Sequence, residues 1–134
     1  MPGSMDRPLR VTEIDHVVVR CRDQARSLAF YAGVLGCPEE RRLEAIGLIQ
    51  LRAGRSLVDL VPADPPPAPE GRNVDHFCLG IDTPDMARAV EWLRAQGVEV
   101  LGEVTERYGA HGTGPSAYVV DPDGNVVELK QIPR

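Results

Sequence analysis

Hydrophobic and polar positions follow a strand–helix order that occurs twice along the chain. In the first half, a β-branched run predicts a strand at 13–20. Apolar positions at helical spacing then predict a helix that Asp23 caps and Gly36 ends. Three more strands are predicted at 39–44, 47–53 and 56–61. The first half is therefore expected to be a βαβββ unit.

The second half repeats this order. A strand is predicted at 73–81, followed by a helix with Thr83 as its N-cap, Pro84 as its first residue and Gly97 after its end. Three strands follow at 98–105, 115–120 and 125–132. The segment Asp121–Asn125 has the composition of a hairpin turn. The pattern thus predicts an α+β fold built from two tandem βαβββ modules.

The two modules also share chemistry-bearing positions. The segment Ile14–Val19 recurs 60 residues later, so His16 and His76 hold equivalent places near the start of each module. Asp59 and Glu128 hold equivalent places near the two ends. Together they offer two nitrogen and two oxygen ligands, a set that suits a divalent metal. A single strand histidine is more often structural, but repetition of the pair favours a metal site.

Length and composition set the organisation of the chain. Its 134 residues predict one domain at 11–132. Module 1 covers 11–61, an extended connector with five prolines covers 62–71, and module 2 covers 72–132. Residues 1–10 are expected to be a flexible N-terminus, of which Met1–Ser4 resembles a remnant of an expression vector.

The charge balance and the lack of long apolar runs exclude several classes of partner. A net charge of −5 provides no basic surface for nucleic acid or anionic lipid. There is neither a run of about 20 apolar residues for a membrane span nor an apolar signal peptide. We therefore expect a cytoplasmic protein. Three cysteines without paired spacing predict small buried thiols rather than disulfides or a zinc site.

Some further residues are candidates for contacting a substrate. His111 lies in the glycine-rich stretch 107–114, which is expected to be a mobile loop. In that place it would either face solvent or act as an acid or base toward substrate. Five other polar residues have two possible roles. They would line the strand face that carries the candidate metal ligands and bind an anionic or oxygen-rich substrate, or they would lie on solvated strand edges. These residues are Arg20, Gln50, Arg52, Tyr118 and Lys130.

Three segments carry a family resemblance. Val11–Val17, Ser27–Gly36 and Tyr118–Leu129 closely resemble the vicinal oxygen chelate superfamily, which includes glyoxalase I, bleomycin-resistance proteins and extradiol dioxygenases. The resemblance implies that the eight strands form a cup-like mixed sheet around a metal site. It also implies that His16, His76 and Glu128 are metal ligands. Asp59 falls where glyoxalase I has Glu and methylmalonyl-CoA epimerase has Gln, which leaves the fourth ligand open.

The resemblance also implies an activity. The expected function is that of a metal-dependent, glyoxalase-like lyase or isomerase acting on a small substrate with vicinal oxygens. One divalent ion, of Ni, Co, Zn, Mn or Fe, would act as a Lewis acid and stabilise an enediolate. Glu128 and Asp59 are the candidate catalytic bases.

Two alternative functions remain open from sequence. One is a non-catalytic module that sequesters an antibiotic or metabolite, and the other is a dioxygenase-type centre with three ligands. A homodimer is expected, since each module leaves one sheet edge and one half-cup open. The alternative is a monomer in which the two modules of one chain close their own cup.

Overall fold

The computed structural model describes residues 13–63, 74 and 76–133. Over those ranges the elements follow the predicted order, with strand and helix repeated in both halves. The elements are β1 (His16–Cys21), α1 (Gln24–Leu28), β2 (Glu39–Leu43), β3 (Leu48–Ala53), β4 (Ser56–Pro62), β5 (Phe77–Ile81), α2 (Met86–Ala95), β6 (Glu99–Gly109), β7 (Gly112–Val120) and β8 (Val126–Gln131).

The strands form two four-stranded mixed sheets with the same topology. One sheet has the order β1-β4-β3-β2 and the other the order β5-β8-β7-β6. In each sheet the first strand pairs in parallel with the fourth, and the other pairings are antiparallel. This arrangement confirms the tandem βαβββ modules. It also leaves β1 and β5 each at a sheet edge, with one neighbouring strand in the part of the chain that the structure describes.

The first helical segment begins as predicted but changes its winding. The Asp23 carboxylate accepts from the backbone N–H groups of Ala25 and Arg26, which caps α1. The segment then continues as a π-helix over Ala29–Val34 and ends before Gly36, whose φ is +82°. The wider π-turn contains Phe30 and Tyr31, whose rings are both buried in the core.

The predicted start of the second helix is wrong by two residues. Asp85, and not Thr83, is the N-cap of α2, and its carboxylate accepts from the backbone N–H groups of Ala87 and Arg88. The Thr83 hydroxyl instead accepts from the Asp85 N–H, so it shapes the turn that presents the cap. Gly97, with φ +84°, follows the end of the helix as predicted.

The glycine-rich stretch is not a mobile loop, because most of it forms a hairpin. Arg107 pairs with Gly114 and Gly109 pairs with Gly112, so β6 and β7 extend almost to their connection. The connecting turn consists of Ala110 and His111. Gly112 adopts φ +92°, a conformation that other residues rarely take, which allows this tight reversal.

One hydrophobic cluster joins both modules. Val58, Leu60, Val127 and Leu129 are buried in it, as strand alternation predicts. A buried polar contact also spans the modules, because the Tyr31 hydroxyl donates to Asp121 Oδ2 at 2.7 Å. The other Asp121 oxygen accepts from the N–H groups of residues 123 and 125, so the same carboxylate holds the β7–β8 turn.

Other sequence expectations have mixed outcomes. Cys21 and Cys37 are buried as expected, but the expectation is wrong for Cys78, which is exposed and lies on the Glu128 face of β5 rather than on the core face. Most of the proline-rich connector and all of residues 1–10 lie outside the described residues. Over the ranges the structure describes, no helix is long and apolar enough to cross a membrane.

Candidate metal centre

The first half of the candidate centre lies on β1 and β4. Val18 is opposite Asp59 in the parallel register, and His16 is two residues before Val18, so all three face the same side of the sheet. Asp59 is buried, with 4% exposure. The Gln50 amide donates to both Asp59 oxygens, at 3.2 and 3.1 Å. This contact offsets part of the cost of burying the carboxylate.

His16 is oriented by its neighbour in sequence. Its Nδ1 lies 2.8 Å from Asp15 Oδ1. This hydrogen bond raises the pKa of His16, while loss of solvent opposes the increase and the charge of Asp59 adds to it. A carboxylate at Nδ1 leaves Nε2 available, which is the arrangement usual for metal-ligating histidines.

The second half of the centre lies on β5, β7 and β8. His76 lies just before the start of β5. Its Nε2 is 3.2 Å from Glu128 Oε1. Glu128 is buried at 8% exposure and is opposite Tyr118 in register. The Tyr118 ring meets the His76 ring edge to face at 5.3 Å, and the Arg107 guanidinium lies 5.6 Å from the Tyr118 ring centre.

The predicted ligands are therefore grouped as two pairs. Each pair has one imidazole and one carboxylate, donors that fit Zn²⁺, Ni²⁺, Co²⁺, Mn²⁺ or Fe²⁺. Among the described residues, no three His, Cys, Asp or Glu side chains converge closely enough to hold a metal ion. A complete four-ligand site therefore needs both halves to meet.

The remaining predicted substrate contacts have different surroundings. Gln50 and Tyr118 each lie beside one of the two carboxylates. Arg20 is exposed on β1. The Arg52 guanidinium is paired with Glu40, with Nε 2.9 Å from Oε1, and this contact raises the pKa of Arg52. His111 is exposed in the β6–β7 turn.

A cavity of about 760 Å³ lies along the edge strands of both sheets. Both His16 and His76 contribute to its wall. The surrounding side chains are mainly apolar and include Val17, Leu35, Phe77 and Leu79. Its volume is in the range of small-molecule binding sites.

Arg107 and Cys78 also face the second half of the centre, although sequence reasoning did not select them. Cys78 is opposite Glu128 in register, and partial loss of solvent around its thiol raises its pKa to about 11, with the Glu128 charge adding to the increase. Arg107 was assigned to a loop, where strand alternation gives no orientation. Extending β6 to Gly109 places it on the same face as Tyr118.

Comparison with known proteins agrees with this architecture. Virulence protein STM3117 from Salmonella typhimurium is 29% identical over 126 residues, covering 90% of this chain and 85% of that protein. The integron cassette protein VCH_CASS1 from V. cholerae has a similar structure, with a TM-score of 0.72, 28% identity and coverage of 92% of this chain and 97% of the other. Lactoylglutathione lyase from Agrobacterium tumefaciens shares the fold, with a TM-score of 0.64, 21% identity and coverage of 90% and 94%.

The family assignment rests on a match that covers most of the chain. The family model described as Glyoxalase/Bleomycin resistance protein/Dioxygenase superfamily matches residues 13–129. That range covers most of both modules and includes both pairs of candidate ligands. The chain therefore belongs to the glyoxalase/bleomycin resistance protein/dioxygenase superfamily.

Proposed function

We propose that this protein is a metal-dependent lyase or isomerase of the glyoxalase type, acting on a small substrate with two adjacent oxygen atoms. The observation that carries the proposal is the repeated pair: each sheet presents one histidine and one buried carboxylate at equivalent positions. The cost of burying Asp59 and Glu128 supports a functional role, since a buried carboxylate needs a partner.

Completion of the centre in a homodimer is part of this proposal. Each sheet has an edge strand, β1 or β5, next to its ligand pair. Pairing these edges across a two-fold axis would bring the His16–Asp59 half of one subunit to the His76–Glu128 half of the other. Such a dimer would create two equivalent four-ligand sites.

The proposed roles of the side chains follow from their contacts. A divalent ion, when bound, supplies Lewis-acid polarisation of the substrate oxygens and so makes the adjacent C–H more acidic. Asp59 and Glu128 are the groups that would take and return this proton. The Gln50 amide fixes the Asp59 carboxylate, and the Tyr118 ring limits the movement of His76.

Metal content and turnover test this function together. The protein is stripped with chelator, reloaded separately with each candidate ion, and assayed for loss of a hemithioacetal formed from an α-ketoaldehyde and glutathione. We expect about one ion per chain in wild type and a large loss of metal in His16→Ala and His76→Ala. His111→Ala, which changes an exposed turn histidine, is the matched control. Wild-type metal content in both ligand variants would contradict the proposal.

Sequestration of a small molecule is the second candidate function, and the cavity between the edge strands supports it. A sequestering protein would bind its ligand with unchanged affinity after chelation and would form no product. The same metal-replete and metal-stripped samples therefore separate the two functions.

A further inference from the structure

Lys130 is the single lysine of the chain, since the other 14 of its 15 Lys and Arg residues are arginines. It lies on β8 two residues after Glu128, so both side chains are on the same face of the sheet. Lys130 is nevertheless only 5% exposed. Its Nζ has no hydrogen-bond partner within the described part of the protein.

A second polar side chain at this point also has no partner. Ser116 is directly opposite Lys130 in the antiparallel register, and its buried hydroxyl makes no hydrogen bond among the described residues. Opposite residues on one face have Cβ atoms about 5 Å apart. Two orphaned polar groups therefore lie side by side, on the face that carries Glu128.

The glycine-rich hairpin provides the space for this lysine. A Cβ atom at Gly114 would lie 3.2 Å from Lys130 Nζ, and one at Gly109 would lie 3.1 Å from its Cδ and Cε. Any larger residue at either position would therefore push against the side chain.

The available donors define what could bind here. The ammonium has three N–H donors and the serine hydroxyl has one, and neither donates to any acceptor within the described ranges. Burying an unpaired ammonium is costly. If position 130 served only to fill the protein interior, an apolar side chain would therefore stabilise the protein more than lysine does. Lys130 Nζ makes no hydrogen bond to Glu128, whose Oε1 contacts His76 instead. A small anion would satisfy both orphaned groups.

We propose that Lys130 and Ser116 form a binding subsite for an oxyanion, either a carboxylate or a phosphate. Lys130 is two residues after Glu128 on the same face of β8. This spacing places the subsite about 7 Å from Glu128. Arg107, opposite Gly114 on the same face, adds a second positive charge. If the proposed function holds, the substrate is then an anionic compound whose adjacent oxygens reach the metal centre while its acidic group contacts Lys130. The anion subsite itself does not depend on that function.

Labelling tests this subsite directly, because lysine with ¹³C at Cε gives signals from one residue only. We expect the Lys130 signal to shift saturably when inorganic phosphate or acetate is added to metal-stripped protein. The anion that binds more tightly identifies the oxyanion as phosphate or carboxylate. No saturable shift with either anion would overturn the proposal.

Variants provide a second readout by thermal unfolding. Lys130→Met should unfold at the same or a higher temperature in buffer without these anions, because it removes an unpaired buried charge. It should also lose the stabilisation that the anion gives wild type, with affinity at least about tenfold weaker. Arg88→Met, which removes an exposed charge on α2, is the matched control. An equal anion effect in wild type and Lys130→Met would refute the subsite.

Two further variants keep the test decisive if Lys130→Met does not fold. Ser116→Ala and Gly114→Ala retain the lysine but remove one donor or displace the ammonium, and both should weaken the Lys130 signal shift. His16→Ala separates the two proposals, because it should lose metal and keep anion binding. In the wild-type protein, anion binding without metal binding would leave the subsite standing and the proposed function wrong.

Discussion

At the scale of single residues, the two candidate ligand pairs differ in how they are held. His16 is exposed, and its orientation depends on one contact with the adjacent Asp15. His76 is partly buried and lies against both Glu128 and the Tyr118 ring. The two histidines should therefore respond differently to loss of a single neighbour.

Asp15→Asn should lower the pKa of His16, because it removes the largest cause of the raised value. A raised folded-state pKa stabilises the protein below the unfolded pKa, and this contribution disappears as pH rises through the folded value. The stability of Asp15→Asn should therefore fall furthest below that of wild type at acid pH. At alkaline pH the two proteins should be equally stable. Imidazole NMR titration of metal-free wild type and variant measures the pKa. An unchanged His16 titration would disprove this link.

Asp59 should be sensitive to its length as well as its charge. Asp59→Glu should retain metal and change turnover, since the added methylene alters where the carboxylate reaches. Asp59→Ala should reduce both metal content and turnover. Gln50→Ala is the informative companion, because it leaves the carboxylate but removes its amide donor. If Asp59→Ala loses neither property, Asp59 lies outside the site and the centre has three protein ligands.

At the scale of elements, two of the three sequence segments that carry the family resemblance contact each other. Tyr31 belongs to the π-helical turn after α1, and Asp121 begins the turn between β7 and β8. Their buried hydrogen bond fixes the helix of one module to the last hairpin of the other. Burial also raises the pKa of Tyr31 well above its usual value, so its hydroxyl remains a donor.

Tyr31→Phe should destabilise the protein by about 1–2 kcal/mol, because Asp121 loses a buried donor while the ring still fills its place. Urea unfolding measures the change. Tyr108→Phe is the control, since that side chain is 84% exposed and should give no measurable difference. Equal stability of Tyr31→Phe and wild type would show that the contact contributes nothing.

Sequence patterns predicted most elements because each depends on local chemistry. Asp23, Gly36 and Gly97 fulfil the predicted roles at helix ends. The Thr83 prediction failed because Thr83 and Asp85 are both competent caps, and only the turn geometry selects between them. The hairpin at 107–114 was missed because glycines predict flexibility in isolation.

The repeat in sequence revealed the candidate ligands, but not how they would be combined. Equivalent places on two strands determine which face each residue takes, and the structure places His16 with Asp59 and His76 with Glu128 accordingly. Whether the two pairs meet depends on how the sheets are placed relative to each other. No local pattern encodes that placement.

At the scale of the whole molecule, the division into two half-sites makes the proposed dimer testable by subunit mixing. His16→Ala and Glu128→Ala each damage a different half. In a dimer with shared sites, a mixed pair has one intact site and one doubly altered site. An equal mixture should recover about one quarter of wild-type metal content and turnover, since half of its dimers are mixed.

The control for subunit mixing is a pair of variants in the same half. His16→Ala mixed with Asp59→Ala should recover nothing, because every site contains at least one altered ligand on its first half. Sedimentation at micromolar concentration should give a dimer. A monomer of 14.6 kDa, or no recovery in the His16→Ala and Glu128→Ala mixture, would contradict shared sites.

The burial of Lys130 has a practical consequence for measuring the opening of the second sheet. A lysine-specific endoprotease has a single cleavage site in this chain, after a residue in β8 whose strand pairs on both sides. Proteolysis there requires β8 to leave the sheet. When reclosing is faster than cleavage, the digestion rate at one peptide bond therefore reports the free energy of that opening.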